Sequence, residues 1–116
     1  MKKKILIVLA NYYKNIASGL INSALKSIPK TNKVKIIEVP GTFEIPIVIS
    51  KNIKKYDAFL ALGCVIKGQT PHFNFISQAS IQAIMDLSIT SKKPIGNGII
   101  TCLNMSQAKD LSLIHI

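Results

Sequence analysis

The chain has no tryptophan, and all 15 of its basic residues are lysine, with no arginine anywhere. Against them stand only 5 acidic residues, so the formal net charge is +10. Such an excess invites a nucleic-acid reading. Nucleic-acid recognition, however, draws on the forked donors of arginine and on stacked aromatic rings, and aromatics make up only 6% of this chain. The lysines are spread along the sequence except at Lys2–Lys4, and abundant Lys beside abundant Ile and Asn fits the drift of an A/T-rich genome. No nucleic-acid partner is expected. Cysteine is scarce too. Cys64 and Cys102 lie far apart in apolar runs, without metal-ligand spacing, and read as buried reduced thiols of a cytoplasmic protein. No segment approaches the length of a membrane span, so no membrane partner is expected. The apolar run Ile5–Ala10 is too short for a secretion signal, and no cleavage site follows it. A glycine-rich dinucleotide loop, an acidic receiver cluster and a serine nucleophile elbow are all missing.

What is present is enough for one packed domain: 116 residues, 48% of them hydrophobic. Lys4–Ala10 (KILIVLA) reads as a strand buried on both faces. After the polar, aromatic turn at Asn11–Asn15, residues Ile16, Leu20, Ala24 and Ile28 recur every fourth position, with Ala17 and Ile21 widening the stripe of an amphipathic helix. Lys33–Val39 alternates as a strand nearer the sheet edge. Thr42 is the expected N-cap of a second helix, with Glu44 in its first turn and Ile45, Val48, Ile49 and Ile53 inward. Ala58–Leu62 is a third buried strand. A helix starting at Pro71 and burying Phe73, Ile76, Ala83, Ile84 and Leu87 leads to a fourth strand, Ile95–Cys102. Gly96 and Gly98 within that strand suggest close backbone approach or a bulge. The order β-α-β-α-β-α-β predicts an α/β fold with a four-stranded parallel sheet between helical layers.

The chemistry concentrates in Gly63–Phe73 (GCVIKGQTPHF). Thr70 is placed to cap the third helix, Pro71 occupies its first position, and His72 falls in its first turn, just beyond the end of a strand. Ligands of open α/β sheets bind at that edge. Free N–H groups at a helix start attract anions, and the dipole there favours a neutral imidazole able to exchange protons near pH 7. Gly63 and Gly68 are read as points of sharp turning or close ligand approach. With Asn11–Tyr13 and Gly41–Glu44 on the same edge, the site suits a planar polar ligand carrying an anionic group such as phosphate. Cys64 as a nucleophile, with His72 as its base, ranks below a buried thiol.

Several long segments resemble lumazine synthases, in order and in one register from about Lys3 to Asp110. They are Val39–Pro46 (VPGTFEIP), Tyr56–Ala58, Ala61–Phe73 (ALGCVIKGQTPHF), Pro94–Thr101 (PIGNGIIT) and Asn104–Ala108 (NMSQA). The resemblance implies a three-layer flavodoxin-like sandwich. It implies a transferase that condenses 5-amino-6-(D-ribitylamino)uracil with 3,4-dihydroxy-2-butanone 4-phosphate to 6,7-dimethyl-8-ribityllumazine, phosphate and water, without metal or organic cofactor. Carried over by position, Tyr12 stacks on the pyrimidine, where relatives usually have Phe. Thr42, Phe43 and Glu44 bind the ribityl chain and ring edge. Cys64, Val65 and Ile66 line the pyrimidine pocket, Gln69 and Thr70 hold the phosphate, and His72 shuttles protons. Asn97, where many relatives have Phe, is offered to a neighbouring subunit's site. The family's partners are its two small-molecule substrates and further copies of itself, as pentamers that in some members build icosahedral shells.

The chain also departs from that pattern. Relatives continue past Asp110 along a last helix bearing a phosphate-binding Arg and a following Lys; here that helix is cut short and neither residue is present. Residues 1–110 are therefore read as the single domain. Leu111–Ile116 is read as a non-native read-through tail, because those residues are what a sequencing-library transposon end would encode. The expected consequences are weakened phosphate binding, uncovered apolar sheet surface and a chain that is poorly soluble or nearly inactive as written, while the full-length parent is active. Leu103 stands where relatives commonly carry Glu. Two other readings compete with the enzyme: an inactive shell or scaffold of the same fold (or an inactive fragment), and a basic nucleic-acid module favoured only by net charge.

Overall fold

The computed structural model describes residues 3–67 and 72–112. Four strands, β1 (Lys4–Ala10), β2 (Lys33–Val39), β3 (Ala58–Ile66) and β4 (Ile95–Cys102), form one parallel sheet in the order β2-β1-β3-β4. The helices are α1 (Lys14–Ser27), α2 (Ile45–Lys51), α3 (His72–Ser91) and α4 (Met105–Ser112). This is the α/β sandwich expected from the alternation of strand and helix, with β2 at a sheet edge as its half-apolar pattern requires.

Each face of the sheet has its own core. On one, Leu6, Val8, Phe59, Ala61 and Ile99 pack under Ile45 and Ile49 of α2 and Ile84 of α3. On the other, Ile7, Leu9, Leu62, Cys64 and Cys102 meet Ile16, Ala17, Leu20 and Ala24 of α1 and Ala108 of α4. β1 sends successive side chains into both cores, which is why its sequence is apolar without alternation. The stripe read in α1 is the one buried, with Ile21 and Ile28 packed at its margins. In α3, Ile84 is buried and Ile76 and Leu87 are partly so; Phe73 lies outside the described side chains. α4 opens with a reciprocal cap: Gln107 N–H donates to Asn104 Oδ1 (2.9 Å) and Leu103 N–H to Gln107 Oε1 (2.8 Å). Leu111 packs, partly buried, against the second core, and residues 113–116 lie outside the described part.

Three local expectations change. β3 does not stop at Leu62. Its ladder with β4 runs on through Gly63↔Ile99 to Ile66↔Cys102, so Gly63 is a strand residue and turns nothing. Thr42 does not cap a helix with its side chain. Thr42–Glu44 is a short 3₁₀ turn, and α2 begins at Ile45 without any side-chain cap. The β3–β4 ladder is continuous across Gly96, so there is no bulge there; close approach is the reason for that glycine, since a Cβ on it would lie 2.9 Å from Leu60 Cδ1.

Eight of the 15 lysines, scattered in sequence, gather in space. Lys4 and Lys33 begin strands, Lys26 and Lys51 end helices, and Lys54, Lys55, Lys92 and Lys93 occupy the loops entering β3 and β4. In a parallel α/β fold all these places lie along the rim at the strands' amino ends. Helix carboxyl ends collect there, and their partial negative charge accounts for the cations. Lys93 makes the link explicit: its Nζ donates to Ile53 O (2.6 Å) and Tyr56 O (2.9 Å) beyond the end of α2. Lys92 closes α3 in the left-handed region (φ 58°), its N–H bonded to Ser88 O at 2.9 Å.

Candidate active site

The opposite rim, at the carboxyl ends of the strands, carries Tyr12, the Thr42–Glu44 turn and the start of α3. β1 delivers Asn11, Tyr12 and Tyr13 there. Asn11 ties this loop to the end of β2 twice, through its N–H to Val39 O (3.0 Å) and its side-chain amide to Glu38 Oε1 (2.9 Å). Tyr12 is 73% exposed and meets Tyr13 edge to face, with ring centroids 4.9 Å apart and planes at 82°. An uncovered ring at the mouth of a sheet offers its face to another planar group.

Beyond β2, Gly41 precedes the 3₁₀ turn. The Glu44 carboxylate folds back over it so closely that a Cβ there would lie 3.1 Å from Glu44 Oε1. Thr42 is buried, Phe43 is exposed and Glu44 is half-buried. Gly63 fixes where this turn sits: a Cβ on it would come within 2.8 Å of Thr42 Oγ1 and 3.2 Å of Ala10 Cβ. The absence of a side chain in β3 thus lets the turn after β2 settle against the ends of β1 and β3. Lys67 N–H holds the end of β3 to Cys102 O at 2.8 Å.

Cys64 and Val65 are buried and Ile66 partly so, as strand residues approaching the rim. Cys64 and Cys102 lie diagonally across the β3–β4 ladder, both reduced, and their thiols interact. Burial, reinforced by the Cys102 thiol, pushes Cys64 from the ordinary 9.0 up to about 12. The thiol is therefore neutral at physiological pH, which argues against Cys64 as a nucleophile. The folded state holds this proton more tightly than the unfolded chain, so the associated stability is complete below pH 9 and is lost as pH climbs toward about 12. Urea midpoints measured across that window are expected to fall, and to fall less steeply in Cys64→Ala; parallel slopes in the two proteins would contradict this.

His72 is the first residue of α3, which follows β3 and so starts at the same rim as Tyr12 and Glu44. Its side chain is outside the description, as are residues 68–71, which include Gln69, Thr70 and the expected cap. Asn97 is not at this rim. It pairs with Ala61 in the middle of the ladder, and its Oδ1 accepts the N–H of Ile99 at 3.0 Å on the open edge of β4. A hollow of about 490 Å³ lies between α3 and the carboxyl end of β4, lined among the described residues by Ser77, Gln78, Ile81, Gln82 and Thr101. Among the described residues no three potential metal ligands converge, and no helix is long and apolar enough to cross a membrane. Sequence reasoning placed Tyr13 on this edge within the Asn11–Tyr13 segment but missed its ring contact with Tyr12, and it missed the packing role of Gly63.

Comparison with known proteins identifies the family. The sequence profile of the family described as 6,7-dimethyl-8-ribityllumazine synthase matches residues 2–113. Proteins named 6,7-dimethyl-8-ribityllumazine synthase are similar over most of the chain. The one from Bartonella tribocorum is 41% identical over 114 residues, covering 93% of this chain and 76% of its own length. That from Renibacterium salmoninarum is 35% identical over 109 residues (92% and 69%), and that from Cutibacterium acnes 36% over 109 residues (92% and 66%). Profile and relatives converge on one family over nearly the whole chain, and the chain belongs to it: this protein is an enzyme of the 6,7-dimethyl-8-ribityllumazine synthase family, a transferase of riboflavin biosynthesis.

Proposed function

We propose that the rim formed by the ends of β1, β2 and β3 binds 5-amino-6-(D-ribitylamino)uracil, and that the start of α3 binds 3,4-dihydroxy-2-butanone 4-phosphate and joins it to that amine. The exposed ring of Tyr12, on the same rim as the Thr42–Glu44 turn, is the observation that carries this reading. Tyr12 stacks on the pyrimidine, Thr42, Phe43 and Glu44 hold the ribityl chain and ring edge, and Cys64, Val65 and Ile66 line the pocket. Gln69 and Thr70 take the phosphate at the helix start, where free N–H groups favour an anion. The substrate amine attacks the ketone carbonyl and water leaves as the imine forms. The adjacent hydroxyl-bearing carbon then loses a proton as phosphate departs with its bonding electrons, leaving an enol that tautomerises to a ketone. The second amine attacks that ketone, and a second water leaves as the ring closes. His72 relays protons in these steps. Amine and ketone are intrinsically reactive, so orienting them supplies much of the acceleration. The test is calorimetric titration with the ribitylaminouracil. Tyr12→Ala is expected to weaken binding roughly tenfold, and unchanged affinity in a folded variant would refute the stacking role.

We further infer that the protein works in the cytoplasm as a homo-oligomer. α3 supports this through its inverted polarity. Ser77 and Ser80 are buried with no hydrogen-bond partner for their hydroxyls among the described residues, while Phe75, Met85 and Ile89 form an outward stripe, 67%, 53% and 67% exposed. A helix apolar on its outer side is one built to be covered. Exposed Phe43 and Ile47 border a groove of about 400 Å³ between α2 and α3 on the same side of the sheet. A pentamer would bring Asn97 to a neighbour's rim, which its position remote from its own rim favours. Sedimentation velocity reads the assembly directly, and a single-chain mass at working concentration would refute it.

A further inference from the structure

We propose that Tyr13 is a positioning residue for the heterocyclic substrate: its anchored ring holds the ring of Tyr12 in a T-shaped contact, fixing the orientation in which the pyrimidine stacks. This rests on the stacking role proposed above for Tyr12. An exposed ring on a loop loses rotational freedom when a ligand stacks on it, and that loss weakens binding. Tyr12 has little else to restrain it, being 73% exposed. Tyr13 is differently placed. Its ring packs against the core that contains Leu62, Cys64 and Cys102. Its backbone occupies the N-cap of α1, with its carbonyl accepting the N–H of Ala17 at 2.9 Å. Ring, backbone and helix are thus fixed together, and the edge-to-face contact at 4.9 Å and 82° passes that fixity to Tyr12. The phenol follows the ring into partial burial: desolvation first, then Cys64 and Tyr12 beside it, raise its pKa above the usual 10.0.

The ring, not the hydroxyl, is the active part of this arrangement, and that gives the test its form. Steady-state kinetics with both substrates are measured for the unmodified protein, Tyr13→Phe, Tyr13→Leu and Tyr12→Ala, with a thermal melt for each. Tyr13→Leu is expected to raise KM for the ribitylaminouracil roughly three- to tenfold, leaving KM for the butanone phosphate and kcat within about twofold. Tyr13→Phe is expected to restore the unmodified values. An unchanged ribitylaminouracil KM in folded Tyr13→Leu overturns the proposal, as does an equal rise in both KM values, which would mark general loosening. Should Tyr13→Leu fail to fold, ring relaxation of Tyr12 by NMR in the unmodified protein decides: an ordered ring supports the proposal and a freely reorienting one overturns it. Tyr12→Ala separates the two levels. If it leaves the ribitylaminouracil KM unchanged, the stacking role itself fails; if it raises that KM while Tyr13→Leu does not, only the role of Tyr13 fails.

Discussion

Replacing His72 with alanine is expected to lower kcat roughly a hundredfold while leaving both KM values within a few-fold. The residue opens α3 immediately beyond the strand that carries Cys64–Ile66, at the rim shared with Tyr12 and Glu44. The proposed proton relay rests on that backbone position: the start of a helix disfavours imidazolium, and a neutral imidazole can take and return a proton near pH 7. The loss is bounded from above because two substrates held in contact react readily without help. It is bounded from below because imine formation and phosphate departure both need a proton moved. Single-turnover kinetics of the variant, together with a flattened pH profile, check the prediction. A variant with unimpaired kcat would remove His72 from the chemistry and shift the account toward pure orientation.

The second large effect comes from a residue with no side chain. Gly63→Ala places a Cβ 2.8 Å from Thr42 Oγ1, 3.2 Å from Ala10 Cβ and 3.5 Å from Ile45 Cδ1. Thr42 is buried and β-branched, and Ala10 belongs to a fully packed strand, so neither yields cheaply. Overpacking of this kind costs about 1–3 kcal/mol. Relief requires the Thr42–Glu44 turn to move outward, carrying Phe43 and Glu44 with it. The variant is therefore expected to unfold at lower denaturant and also to bind the ribitylaminouracil more weakly, whereas a core defect elsewhere would show the first effect alone. Unaltered stability would mean that the turn is not seated on Gly63.

The fold was legible because its determinants are local and periodic. The unbroken apolar run of β1, the four-residue stripe of α1 and the alternation of strand with helix permit only a parallel sheet between helical layers. The rim was legible for the same reason, since topology alone gathers post-strand segments at one edge. What escaped was tertiary. Gly63 looked like a turn residue because sequence shows a glycine near a strand end, but not the threonine hydroxyl from another loop that occupies the missing side chain's space. Thr42 looked like a cap for the complementary reason: its burial against Gly63 is invisible until both loops are in place. The lysines seemed dispersed because chain order hides the fact that strand starts and helix ends share one rim. The contact of Tyr13 with Tyr12 was passed over because no spacing rule announces a ring contact.

Turnover tests the central claim most directly. The purified protein is mixed with 5-amino-6-(D-ribitylamino)uracil and 3,4-dihydroxy-2-butanone 4-phosphate, and lumazine formation and phosphate release are followed together. Product and phosphate are predicted to appear in equal amounts, at rates that fall sharply in His72→Ala and Tyr12→Ala. A folded protein that binds both compounds yet releases neither product nor phosphate above the uncatalysed rate would contradict the account.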